Sequence, residues 1–189
     1  MAELTLRPNG AGDDTEHHQL PDAGDNFDKV NEVVPSDADY VYSSTVVGAG
    51  SKDLYTLPAH GLPGGTIINK ITLHGRWYKG YNAVGFTGNC RWVVSFPLWD
   101  WAEVVTDNGD PAPFSEWFTA FRVHLVNPET SEHWTLDELT NMQIGSYLKY
   151  AFRPNVARES RNGHLYIVVD YQPGIVAPTV TTDPATEIT

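Results

Sequence analysis

The stretch "TIINKITLHGRWYKG" sets Ile67, Asn69, Ile71 and Leu73 on one side against Lys70, Thr72 and His74 on the other. Apolar residues at every second position suit a half-buried β-strand, whose side chains point alternately to opposite faces, and not a helix of period 3.6. A second run, "EWFTAFRVHLVNP", alternates Trp117, Thr119, Phe121, Val123 and Leu125 against Phe118, Ala120, Arg122, His124 and Val126. Both of its faces are partly apolar, which predicts an inner strand covered on two sides. "YVYSSTVV", "KDLYTLP", "AVGFTGNCRWVVSFPLW", "NMQIGSYLKYAFRP" and "GHLYIVVDYQP" are also strand-like, with Gly, Pro and Asn clusters such as "HGLPGG" and "DNGDPAP" between such runs. An aromatic content of 12% fits the same picture. The expectation is an all-β fold, an antiparallel β-sandwich of jelly-roll type.

One short segment departs from period two. Thr135 followed three residues later by Glu138 is a capping-box pattern, and "TLDEL" places Leu136 and Leu139 on one helical face. A single short helix near residues 135–141 is therefore expected, closing an open end of the sandwich, with Trp134 as the plug beneath it. Gly145 in "MQIG" then allows a bulge or a close backbone approach as the next strand begins.

Residues 1–38 are polar, rich in Gly, Asp, Asn and Pro, and show no sustained periodicity apart from Leu4 and Leu6 in "ELTLRP". They read as an extended N-terminal arm that a neighbouring subunit holds in place. Leu4, Leu6, Leu20, Phe27 and Val30 are its apolar anchors, and Arg7 its cation for acidic groups on the neighbour. Residues 39–173 form the sandwich domain, and the Pro/Thr-rich residues 174–189 a second extended arm. The partner this implies is the chain itself, as a homo-oligomer.

Several functions are disfavoured. A net charge of −12 opposes direct binding to nucleic-acid phosphates and to anionic membranes. No apolar run reaches the roughly 18 residues that span a bilayer, and the N-terminus lacks a signal-peptide core, so synthesis in the cytoplasm is expected. The single cysteine, Cys90, excludes an internal disulfide and a cysteine zinc site. No H-x-x-x-H, H-E-x-x-H or G-x-S-x-G spacing occurs, and His164 and Asp170 lie roughly 20 Å apart along one strand. No catalytic residue, metal ligand or cofactor is assigned; the acidic residues of the N-terminal segment read as a solvated face. Trp99, Trp101 and Trp117 flank a long loop. Either they pack in the core or an interface, or their rings form a platform for a glycan.

"NPETSEHWTLDELTNMQIG", followed after a short strand by "GHLYIVVDYQP", resembles small β-sandwich proteins from the structural-gene modules of tailed bacteriophages and prophages. In those, an "NP.T...WT..E...LQIG" segment precedes a closing strand of the type "VYVVVDY". "LRPNGAGD", "FDKVNEVVPSDADYVYSS" and "KDLYTLP" are similar to the start of the same family, and "FPLWDWAEVVTDNGDPAPFSEWF" is more aromatic than its pattern. The resemblance implies a non-enzymatic structural protein located in the virion. It would serve as a head decoration, a reinforcement or a tail-associated subunit, with major capsid or tail proteins as further partners. The alternative is a carbohydrate-binding module or adhesin.

Overall fold

A computed structural model describes residues 1–43, 50–78, 90–96, 99–104, 116–149, 151–153 and 156–174, with backbone alone for 99–104, 151–153 and 156–158. In chain order the elements are β1 (Ala2–Leu6), β2 (Gly10–Thr15), β3 (His18–Leu20), β4 (Tyr40–Tyr42), β5 (Gly50–Thr56), β6 (Ile67–Tyr78) and β7 (Cys90–Phe96). There follow β8 (Trp99–Val104), β9 (Trp117–His124), the helix α1 (Leu136–Asn141), β10 (Gln143–Lys149), β11 (Ala151–Arg153), β12 (Val156–Arg158) and β13 (Arg161–Gln172). Two antiparallel sheets pack into an all-β sandwich. Sheet A runs β3-β4-β13-β6-β9, with β1 also on β13; sheet B runs β2-β5-β10-β7-β8; β11 and β12 form a separate hairpin.

The core lies between Ile71, Leu73, Trp77, Leu165 and Ile167 of sheet A and Tyr55, Trp92, Val94, Ile144 and Leu148 of sheet B. Trp77 and Trp92 meet edge to face across the gap, ring centres 4.7 Å apart. Gly75 leaves space for this pair: a Cβ there would lie 2.6 Å from Trp77 Nε1 and 2.8 Å from the Trp92 ring.

The alternation read along β6 breaks at its start. Ile67 is exposed and Ile68 buried, because the register with β13 shifts between Asp170 and Tyr171. An irregularity of this kind turns the strand and moves side chains to the other face.

Residues 1–38 do not stand apart as an arm. β1 pairs with β13 of the same chain from Ala2↔Tyr171 to Leu6↔Ile167, beyond the point where β4 pairs with Arg161 and Asn162. β2 extends sheet B and β3 extends sheet A. Leu6 and Val30 belong to the core, Leu4 and Phe27 pack against it, and Leu165 N–H donates to Val30 O at 2.8 Å. The physical reason is sheet pairing: β13 is long enough to carry both β4 and β1, so the strands of this segment find main-chain partners within the molecule despite its polar composition. Leu20 is the anchor that stays exposed. The C-terminal arm, from residue 175 on, lies outside the described residues.

Among the described residues β9 is also not an inner strand. It ends the order of sheet A, and its second apolar face is outward and exposed.

Candidate interaction surface

Directly opposed residues in antiparallel strands share a face. On the outer face of sheet A, the register aligns His18, Tyr42, Arg161, Tyr78 and Trp117 in one row from β3 to β9. The groups touch along that row. His18 stacks on Tyr42 at 5.3 Å, the Arg161 guanidinium lies 4.7 Å from the Tyr78 ring and 4.4 Å from Tyr40, and Tyr78 meets Trp117 edge-on at 5.7 Å. Arg161 also pairs with Glu159, and Arg76 beside the row donates from Nη2 to Asp37 Oδ2 at 2.8 Å. These cations are held by their own chain, so the row stiffens the sheet. Trp117, a glycan or interface candidate, is a half-buried member of it, with Arg76 stacked 5.7 Å from its ring.

A second row, Tyr166, His74 and Phe121, crosses the same face. His74 lies 4.6 Å from Tyr166 with the planes 5° apart, and Phe121 follows at 6.1 Å. Arg7 closes the inner end of this row. Its guanidinium sits 4.5 Å over Tyr166, and Nη1 donates to Glu32 O at 2.8 Å and to His164 Nε2 at 2.7 Å. Arg7 is thus engaged inside its own chain and not with a neighbour's acids. A nitrogen that accepts from a guanidinium carries no proton. Burial, reinforced by the Arg7 charge, accordingly holds His164 at about 4, and burial lowers His74 as well. Beside this row a shallow groove of about 410 Å³ is lined by Glu3, Lys70, Thr72, His74, Phe121, Val123 and Val168. Phe121, Val123, Leu125 and Val126 are exposed apolar side chains, at 52%, 42%, 64% and 37% exposure.

Sheet B offers a buried polar cluster on its core-facing side. His17 Nδ1 accepts from Ser51 Oγ at 2.9 Å, while Nε2 lies 3.0 Å from both Ser146 O and Ser146 Oγ. A carbonyl only accepts, so Nε2 carries the proton and the ring is neutral, as burial dictates by lowering its pKa. The fully buried Asp53 carboxylate accepts from His17 N–H at 2.7 Å, Asn26 Nδ2 at 2.5 Å and Tyr55 Oη at 3.1 Å. Ser, His and Asp meet here, but Asp53 binds the main chain of His17 and not its ring. The arrangement therefore lacks the carboxylate-to-imidazole bond that orients a catalytic base. It fastens the N-terminal segment to sheet B. Nothing in the sequence marked it, since His17 and Asp53 lie 36 residues apart and come together only through β2 and β5.

At the open end, Trp134 is buried, its Nε1 donates to His124 O at 3.1 Å, and its ring faces Phe96 at 6.3 Å. Thr135 and Glu138 form both bonds of a capping box, with Leu139 buried and Leu136 packed against the core. Glu138 Oε1 further accepts from Asn127 Nδ2 at 2.7 Å, tying the helix to the preceding loop. The side chains of Trp99 and Trp101 lie outside the described residues. The backbone register sets them opposite Phe96 and Val94, both associated with the core.

Among the described residues no three His, Cys, Asp or Glu side chains converge as a metal site, and no helix is long and apolar enough to cross a membrane. No protein-family model and no curated protein matches the chain.

Proposed function

We propose that this protein is a structural subunit of a virus particle of the tailed-phage type, a head decoration, reinforcement or tail-associated component that works by assembly and not by catalysis. The exposed apolar run Phe121, Val123, Leu125 carries this reading, because contiguous apolar surface of this kind marks a place where another molecule docks. The strand order supports it. Without β1–β3 and the small hairpin, β4-β13-β6-β9 faces β5-β10-β7-β8, an order we read as an eight-stranded jelly roll, the architecture of many viral capsid domains. The similarity of "NPETSEHWTLDELTNMQIG" and "GHLYIVVDYQP" to phage structural-module proteins points the same way. Quantitative mass spectrometry of purified particles tests it: the chain should co-purify in a fixed ratio to the major capsid or tail protein. Its absence from particles, with abundance in the lysate, would refute the proposal.

A second reading is supported by the groove. An exposed aromatic ring, Phe121, stands beside Glu3, Lys70 and Thr72, groups able to bond sugar hydroxyls, and jelly rolls also serve as lectin domains. Glycan-array binding lost on Phe121→Ala would raise this reading above the first.

A further inference from the structure

We propose that β9 is a pairing edge joining two copies of this chain, antiparallel strand to antiparallel strand, about a two-fold axis. This rests on the assembly reading and names its first partner. Sheet edges are hazards that proteins blunt by shortness, by charge or by cover, and the other edges of this sandwich show two of these devices. β3 spans Leu20 and two residues before it. β1 is short and exposes Glu3. β2 carries Asp13 and Asp14, and β8 carries Asp100 and Glu103. β9 shows neither. It runs from Trp117 to His124, has a neighbour on one side only among the described residues, and exposes Phe121 and Val123.

Charge selects the occupant. Two copies of a chain of net charge −12 repel wherever their acids approach. From Trp117 to Asn127 there is no Asp or Glu, and Arg122 is the one fully charged side chain. This is where identical acidic chains can meet without like charges facing. Charge also selects the register. A two-fold axis at Arg122 would set two guanidiniums directly opposite, which destabilises a strand pair. An axis at Phe121 sets the two Phe121 rings opposite each other, Ala120 against Arg122 and Thr119 against Val123. Such a contact is isologous and closes at two copies.

Light scattering on the purified full chain should give, as concentration rises, a mass twice the 21.0 kDa of one chain. The double variant Phe121→Glu, Val123→Glu should stay at one chain's mass with an unchanged circular dichroism spectrum, because both side chains are outward. The control Val33→Glu, Val34→Glu, apolar and more exposed but outside the β9 strand, should dimerise as the parent does. Native Cys90 is buried, so Phe121→Cys supplies the accessible thiol, and oxidation should yield a disulfide-linked dimer. A parent chain monomeric at every concentration overturns the proposal, whether or not another protein pairs with β9. So does a dimer that survives the double glutamate variant, or failure of Phe121→Cys to cross-link. A particle component that stays monomeric in solution would overturn the β9 contact alone; a β9 dimer absent from particles would overturn the virion reading alone.

Discussion

Arg7, His164 and Glu32 meet where the N-terminal segment crosses β13, and their protonation is coupled to folding. The folded His164 ring is held at about 4 against an ordinary 6.5, so between those values the unfolded chain binds the extra proton. Its contribution to stability is complete above 6.5 and is lost as pH falls toward 4. Glu32 acts in the opposite sense. Burial, aided by Asp39, raises its carboxyl to about 7, so its contribution is complete below about 4.5 and is lost as pH rises through 7. His164→Gln retains an acceptor for Arg7 and removes the titrating ring. Its denaturant midpoint should fall less between pH 6.5 and pH 4.5 than that of the parent. An identical acid limb in both proteins would show that the ring is not held neutral. None of this could be read from the sequence. Arg7 and His164 are 157 residues apart, and a lone Arg in a polar stretch looks like a surface charge.

The elements that local chemistry defines were legible, and those defined by distant partners were less so. The capping box of α1 depends on residues three apart, and its two bonds are present as the pattern requires. Trp134 ties this element to both sheets, through His124 O at the end of β9 and through Phe96 at the end of β7. Trp134→Ala should therefore cost about 3–5 kcal/mol, the range for truncating a large buried side chain. Urea titration would measure this, and a midpoint unchanged from the parent would place Trp134 outside the core. β9 was misread for a physical reason. Apolar residues on both faces fit an inner strand, but among the described residues β9 ends the order of sheet A and its outer face is exposed, an outcome that strand order and not the alternation decides. The face of β6 was misread at Ile67 because the irregularity lies in its register with β13, a partner about a hundred residues away.

At the scale of the whole molecule, the sandwich was foreseeable from repeated period-two runs, but its boundary was not. A segment with few apolar residues and no periodicity looks unable to order itself, yet β1, β2 and β3 borrow existing edges, and Asp53 and His17 secure the crossing. Deleting residues 1–32 should therefore abolish cooperative folding. It would bare β13 from Ile167 to Tyr171, remove Leu6 and Val30 from the core, and strip the buried Asp53 of two of its three described donors. Circular dichroism melting would show a broad, non-cooperative trace. A sharp transition in the truncated chain would restore the segment to the status of a detachable arm.

As proposed, this sandwich is a building block whose exposed sheet A surface is covered in a particle. Electron microscopy of purified particles at a resolution that traces strands tests it most directly. The expected density shows the two-sheet fold at regular particle positions, with the N-terminal segment on its own β13 and with Phe121 and Val123 against another protein surface. Particles in which no density accepts the fold, or in which the fold sits with Phe121 and Val123 facing solvent, would contradict it.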